Sequence, residues 1–137
     1  MPAALNHFDL ELLTGKNFAH LVTLRTDGSP HATVTWIDAD PKSGHVLMNS
    51  AAGRVKDRNL RRDPQVSVSV YDQEDPLRFV SILGTVVERL TGAEPDAHID
   101  FLSRKYDGEP WRPVDGDRKS TRLNSSHTMT SRMPSSA

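Results

Sequence analysis

The sequence predicts a mainly β domain in which short helices accompany a small antiparallel barrel. The clearest observation is that Val66, Val68 and Val70 alternate with Ser67 and Ser69, which is the period of a strand with one buried face. Other runs rich in β-branched and apolar residues are separated by short segments of turn residues. The chain has 137 residues, of which 36% are hydrophobic, so it can build one core and we expect one domain.

The first half of the chain predicts one helix followed by three strands. Asn6 is a good N-cap for a short helix through Leu13, and Gly15 is a suitable stop. The three strands are rich in β-branched and apolar residues and are joined by tight turns, so we expect them to form a meander. They span residues 18–25, 31–38 and 45–50.

The second half predicts a short helix, two strands and a longer helix. The short helix should end before Pro64, because proline disfavours helical geometry in the residue that precedes it. Gly84 predicts a bulge or bend within the second of the two strands. After the first helix of the chain the predicted order is therefore β-β-β-α-β-β-α. The four predicted spans are 54–63, 65–71, 78–90 and 94–106.

Residues 117–137 differ from the rest of the chain, because they are rich in Ser, Thr and Arg and show neither helical nor strand periodicity. Back-translation of 117–127 and of 131–137 in one reading frame resembles a common short-read sequencing adapter. We therefore expect a single domain at 1–116 that is incomplete at its C-terminus and lacks its final strand. Residues 117–137 are expected to be a non-native, disordered tail that packs against nothing and adds no strand.

Composition and charge exclude several classes of function. The net charge is −1, and residues 117–137 hold four of the cations and one of the carboxylates, so residues 1–116 carry −4, which argues against nucleic-acid binding. No apolar run approaches the ~20 residues that span a bilayer, and no export signal is visible, so a cytoplasmic protein without membrane contact is expected. The chain has no Cys, and His20, His31 and His45 lack metal-ligand spacing, so no metal is expected.

Polar and basic residues meet where the third strand gives way to the short helix. Asn49 and Ser50 end the strand, and Gly53, Arg54 and Lys56 open the helix. Helix N-termini offer free N–H groups, glycine lets the backbone approach a ligand, and the two cations can donate charge-assisted hydrogen bonds, so we expect a phosphate site with both cations in one groove. Arg62 should face solvent at the far end. The alternative is a solvated basic helix face, formed by Arg54, Lys56, Arg58, Arg61 and Arg62.

The sequence resembles the split-barrel flavin and deazaflavin oxidoreductases related to pyridoxamine 5′-phosphate oxidase. The similarity is sharpest to the actinobacterial branch that uses coenzyme F420, and it extends from about residue 18 to residue 111. The segment 53–64 is its most specific part. The other segments that carry it are 20–25, 27–30, Trp36, 96–100, Lys105 and Tyr106.

The resemblance implies a split β-barrel homodimer whose cofactor lies in a groove between the subunits. It implies an oxidoreductase in which reduced coenzyme F420 passes a hydride to an electron-poor small organic substrate. Two alternatives stay open: an FMN-dependent oxidoreductase of the pyridoxamine 5′-phosphate oxidase type, and a non-catalytic carrier of flavin or haem. The implied cofactor-binding residues are Thr33, Val34 and Thr35 beside the ring, Asn49 and Ser50 next to the phosphate, and Arg54, Val55 and Lys56 at the phosphate.

No catalytic residue follows from the sequence. His20, His31 and His45 lie on predicted strands and are candidates for a proton donor, although a histidine on a strand is more often a surface or core residue. Trp36 is expected to pack in the barrel rather than to stack on a substrate, since aromatic side chains mostly stabilise cores.

Overall fold

The computed structural model of the protein describes residues 5–51, 53–91, 93–112 and 120–133. Three helices lie in these ranges: α1 spans His7–Thr14, α2 spans Val55–Arg62 and α3 spans Ala93–Asp107. The strands β1 to β7 span, in order, Ala19–Leu24, Pro30–Thr35, Asp38–Ala39, Val46–Ala51, Gln65–Tyr71, Phe79–Thr91 and Ser120–Met133.

The strands form one antiparallel sheet in the order β2-β1-β5-β6-β7-β4-β3. The two strands at the edges of this sheet, β2 and β3, are consecutive in the chain and are separated only by Trp36 and Ile37. A sheet whose first and last strands are joined by two residues has to curl until its edges approach each other. The result is a barrel that is open along one seam, which is the predicted fold class.

The predicted meander of three strands is wrong. β1 pairs with β2 as expected, with Ala19 opposite Thr35, but β4 pairs with β3 and β7 instead of β2. The predicted strand 31–38 is interrupted at Ile37, whose N–H donates to the Tyr106 hydroxyl at 3.2 Å and whose carbonyl accepts from Lys105 Nζ at 2.8 Å. Because two side chains of α3 bind the main-chain groups of Ile37, these groups are satisfied without a neighbouring strand.

The expectation that the C-terminal segment adds no strand is also wrong. β7 pairs with β4 over Val46↔Ser125 to Ala51↔Ser120, and with β6 along its other side. Pairing uses main-chain groups, and Ser120–Met133 contains neither Gly nor Pro, so it can follow the open edges of both neighbours. The adapter origin of this segment stays a prediction, because main-chain hydrogen bonds do not depend on where a sequence came from.

The bulge predicted at Gly84 is displaced. β6 shows register shifts against β7 between Ser81 and Ile82 and between Val86 and Glu88, on either side of Gly84. Gly84 itself remains paired with Val66 of β5. β6 therefore departs from regular pairing twice, which helps the sheet to curl.

The main core fills the inside of the curled sheet and extends beneath α1. Leu12 and Leu13 of that helix are fully buried against it. The helix starts where predicted, because the Asn6 side chain accepts from the Asp9 N–H at 2.9 Å and the Asp9 carboxylate accepts from the Asn6 N–H at 3.0 Å. Within the described parts of the chain, no helix combines the length and the apolar character that crossing a bilayer requires.

Candidate functional site

A cavity of about 320 Å³ lies beside the barrel, where β2, β4, the start of α2 and α3 approach one another. One side of its lining, called here the cationic wall, consists of Asn49 and Ser50 with the two cations Arg54 and Lys56. Its aromatic lining, called here the aromatic wall, consists of Phe18, Trp36 and Trp111.

The turn from β4 into α2 places the cationic wall. Gly53 adopts a φ of 85°, a left-handed conformation that favours glycine. A Cβ atom at Gly53 would meet no protein atom within 4 Å, so within the protein it is the backbone angle that favours glycine; its close approach to a ligand stays a prediction. Arg54 then stands at the N-cap position and makes no side-chain capping hydrogen bond, which leaves its guanidinium for other partners.

Arg54 and Lys56 converge on the cavity, as the sequence predicts. Neither side chain has an ion pair or a hydrogen bond with the residues that the structure describes. Burial lowers the pKa of Lys56, and the nearby Arg54 charge lowers it further. Two neighbouring cations without a carboxylate favour an anion between them, so the residues present fit a phosphate group.

The remainder of α2 is held by polar contacts to the barrel. Asp57 is 1% exposed and accepts from the Gly53 N–H at 2.9 Å, from Arg61 Nε at 3.2 Å and from the Arg89 guanidinium. Burial alone would raise the pKa of Asp57, but these three donors outweigh it and hold the pKa below its usual value. Asn59 donates to the Thr23 hydroxyl at 3.0 Å.

Arg62 is exposed at the far end of the helix, as predicted, but it also contacts the sheet. Its guanidinium donates to the Leu24 carbonyl at the end of β1 and lies 3.5 Å from Asn59 Oδ1. Arg62 therefore attaches the end of the helix to the sheet. Arg58 is exposed and makes no side-chain hydrogen bond within the described ranges, so it is the better example of a solvated cation on this helix.

The aromatic wall is supported from behind by Tyr106 of α3. The Trp36 ring lies flat against the Tyr106 ring, with centroids 5.4 Å apart and planes at 3°, and Phe18 contacts the same ring at 5.2 Å. The Tyr106 hydroxyl donates to the Asn17 carbonyl at 2.5 Å. Burial raises the pKa of Tyr106 to about 12, so this hydroxyl keeps its proton. Trp36 thus packs, as predicted, and also lines the cavity.

Lys105 lies against the Tyr106 ring and binds main-chain carbonyls next to it. Its Nζ donates to the carbonyls of Leu13 at 3.2 Å and Ile37 at 2.8 Å, and lies 4.8 Å from the centroid of the Tyr106 ring. Burial lowers the pKa of Lys105 to about 8, although the charge of Asp38 opposes that shift. Lys105 therefore joins α1, the link between β2 and β3, and α3.

Six of the eight residues predicted to bind the cofactor line the cavity, and Thr33 and Val55 do not. Val55 is 39% exposed and lies outside the lining of the cavity. The Thr33 hydroxyl is buried and has no hydrogen-bond partner in the described structure. The six residues that line the cavity are Val34, Thr35, Asn49, Ser50, Arg54 and Lys56.

The candidate proton donors lie elsewhere. His20 stacks on Tyr71 at 5.8 Å, and neither it nor His31 nor His45 lines the cavity. No three His, Asp or Glu side chains of the described residues come together as metal ligands would. Sequence reasoning missed Trp111 as part of the site, and its only signal was that it is one of the two tryptophans in the chain.

The chain is similar to proteins of a known family. The sequence profile of the pyridoxamine 5′-phosphate oxidase family matches residues 7–129. The chain belongs to this family. The match confirms the family resemblance and the split-barrel fold that the sequence predicts.

Individual relatives of the family agree with the assignment. The chain is 30% identical over 96 residues to the F420H(2)-dependent biliverdin reductase of Mycobacterium tuberculosis (strain CDC 1551 / Oshkosh), a match that covers 69% of this chain and 68% of that protein. A solved structure of an F420 reductase shares 27% identity and superposes with a TM-score of 0.74, covering 86% of this chain and 91% of the other. A putative pyridoxamine 5′-phosphate oxidase from Lactobacillus delbrueckii is 17% identical, with a TM-score of 0.62 over 90% of this chain and 92% of that one, and shares the fold.

Proposed function

We propose that the protein is an oxidoreductase in which reduced coenzyme F420 passes a hydride to an electron-poor small organic substrate. One observation carries the proposal: Arg54 and Lys56, without partners among the described residues, meet on a cavity that also has an aromatic wall. The likeness to two F420-linked reductases of the same family supports the choice of cofactor. The proposal keeps the cytoplasmic location expected from the sequence.

The residues of this chain would act by binding and orienting. Arg54 and Lys56 would hold the cofactor phosphate by charge-assisted hydrogen bonds, and the start of α2 adds a partial positive charge. Val34 and Thr35 would lie along the ring, with Asn49 and Ser50 between the ring and the phosphate. The aromatic wall would keep water away from the reacting atoms. When bound, the reduced deazaflavin supplies the hydride.

We further propose that the working unit is a homodimer with the cofactor at the subunit interface. Val34 is 60% exposed on the edge strand β2, and Leu83 of β6 is 51% exposed on the same sheet. Leu83, together with Val22 and Leu24, also lines an apolar groove of about 220 Å³ that is separate from the cavity. Exposed apolar residues on the sheet, of which Val34 lines the ligand cavity, support contact with a second copy. Light scattering coupled to gel filtration should give twice the mass of the chain.

The decisive experiment is a titration of the protein with coenzyme F420 and, separately, with FMN. Arg54→Ala and Lys56→Ala should each weaken F420 binding roughly tenfold or more, because each removes a hydrogen bond to a charged group worth ~1.5–3 kcal/mol. Arg58→Ala is the matched control and should bind as the unmodified protein does. Oxidation of the reduced coenzyme in the presence of an electron-poor acceptor then measures turnover.

The outcomes separate the alternatives. Binding of FMN without binding of F420 would favour the FMN-dependent oxidoreductase. Tight binding of F420, flavin or haem without turnover of any acceptor would favour a carrier. Equal F420 affinity in the Arg54, Lys56 and Arg58 variants would contradict the phosphate site itself.

A further inference from the structure

Trp111 reaches the cavity from a short segment that folds back along α3. The helix ends at Gly108, which adopts a φ of 75°, and the chain then reverses. The main-chain N–H of Trp111 donates to Asp100 Oδ1 at 2.9 Å, and the Ser103 hydroxyl donates to the Glu109 carbonyl at 2.8 Å. Two side chains of α3 therefore fix where Trp111 lies.

Trp111 and Trp36 form a corner of the cavity. Their ring centroids are 6.2 Å apart and their planes meet at 84°. Both residues line the cavity, and they are the two tryptophans of the chain. A flat ring that enters such a corner can lie along one indole while its edge meets the face of the other, which is the geometry that aromatic pairs prefer.

The two sides of the corner are supported differently. Trp36 is backed by the parallel ring of Tyr106, whose hydroxyl is hydrogen-bonded to main-chain groups. Trp111 is held through its main chain by Asp100, whose other oxygen accepts from Arg104 Nε at 2.9 Å. Both rings are partly buried against the cluster of Ile99, Leu102 and Tyr106, but Trp36 is supported by ring contact, whereas Trp111 is held through its main chain in a segment outside the helices and strands, where specificity residues are often found.

We propose that Trp111 determines substrate specificity, selecting flat conjugated ring compounds over puckered or branched molecules of similar size, and that Asp100 is the residue that positions it. This inference rests on the proposed function, since it assigns the corner to the hydride acceptor rather than to the cofactor. An electron-poor conjugated ring is both the kind of molecule that accepts a hydride and the kind that fits between two indoles at right angles.

The test measures binding directly and needs no turnover. 2-Nitronaphthalene is a flat, electron-poor probe, and its binding is followed by quenching of the fluorescence of the two tryptophans that line the cavity. Nitrocyclohexane has the same nitro group on a puckered ring and is measured by competition with the first probe. The unmodified 137-residue protein should prefer the flat probe by at least about tenfold.

Variants of Trp111 and Asp100 give the expected pattern. Trp111→Ala should weaken binding of 2-nitronaphthalene roughly tenfold and leave that of nitrocyclohexane within about twofold, while Trp111→Phe should recover most of the loss. Asp100→Ala should weaken the flat probe about threefold, and Asp100→Asn, which can still accept from the Trp111 N–H, should restore it. Arg112→Ala is the neighbouring control and should change neither probe.

Several results would overturn the inference. The inference is wrong if Trp111→Ala binds the flat probe as tightly as the unmodified protein does. It is also wrong if Trp111→Ala loses the same factor of affinity for both probes. If Trp111→Ala does not fold, the Phe variant and the two Asp100 variants still decide the matter. A loss of F420 affinity in Trp111→Ala without loss of the probe would assign the corner to the cofactor. Failure of the unmodified protein to bind F420, with the probe pattern intact, would instead reject only the proposed function.

Discussion

The two ends of helix α2 carry cations of the same chemical type that do different things. At the start of the helix, Arg54 and Lys56 face a cavity and have no partner in the described structure. In its second half, Arg61 contacts buried Asp57, and Arg62 contacts the end of β1. Partnered charges hold a fold together, whereas unpartnered charges beside a cavity are available to a ligand. The helix is thus an attachment at one end and a binding site at the other.

The largest effect on stability should come from the attached end. Asp57→Ala removes the acceptor of three donors and leaves the Arg89 guanidinium, 24% exposed, without its carboxylate. Breaking a buried pair in this way should lower the free energy of unfolding by about 3 kcal/mol. Urea denaturation of the variant and of the unmodified protein measures this difference in the free energy of unfolding. Arg61→Ala, which removes a partner that is 56% exposed, should cost only about 0.5 kcal/mol; equal losses in the two variants would contradict a buried role for Asp57.

Arg62→Ala should have a smaller effect of the same kind. It removes the guanidinium that donates to the Leu24 carbonyl, a contact that is exposed to solvent. We expect a loss of about 1 kcal/mol in the free energy of unfolding, with F420 affinity unchanged. Removing a cation that only faces solvent would leave the free energy of unfolding unchanged. Chemical denaturation of Arg62→Ala and of Arg58→Ala therefore distinguishes the two roles.

Lys105 offers a third situation, a cation that is held by carbonyl groups away from the cavity. Its pKa in the folded protein is lowered to about 8 from 10.5. Between those values the unfolded chain binds a proton that the folded protein has released, so stability should rise with pH. We expect the unmodified protein to gain about 0.5 kcal/mol over Lys105→Met between about pH 7 and about pH 9, because partial exposure reduces the effect. A loss of stability relative to Lys105→Met over the same pH range would mean that the two carbonyl contacts outweigh the effect of burial on the pKa.

The smallest effect on stability should come from the cations that matter most for binding. Arg54→Ala and Lys56→Ala remove no hydrogen bond or ion pair to the described residues, so each should change the free energy of unfolding by only about ±0.5 kcal/mol. The thermal midpoint, read by circular dichroism, should therefore stay near that of the unmodified protein. A large drop would mean that these side chains support the helix, and the contrast between its two ends would disappear.

What the sequence predicted well is local. The Asn6 cap, the strand at Gln65–Tyr71 and the bounds of all three helices depend on neighbouring residues, and they agree with the structure to within a few residues. The convergence of Arg54 and Lys56 is also local, because the turn at Gly53 and the start of α2 fix it.

What the sequence could not predict depends on distant partners. The break at Ile37 is caused by Tyr106, which is 69 positions further along the chain. The role of Arg62 depends on a carbonyl of β1, and that of Trp111 on how a loop folds back over α3. The strand at Ser120–Met133 shows no apolar alternation and is defined by the open edges of β4 and β6. None of these long-range contacts leaves a periodic signal in the sequence.

The position of β7 between β4 and β6 has a consequence for the order of events during synthesis. While the chain leaves the ribosome, β1, β2, β5 and β6 can pair with neighbours that have already emerged, but β4 then has only the two-residue β3 beside it. Its long partner follows some seventy residues later. Since contacts between distant segments form slowly, Asn49 and Ser50 on β4 should be the last parts of the cavity to be fixed. We therefore expect a nascent chain to acquire its ligand only after the C-terminal strand has been released.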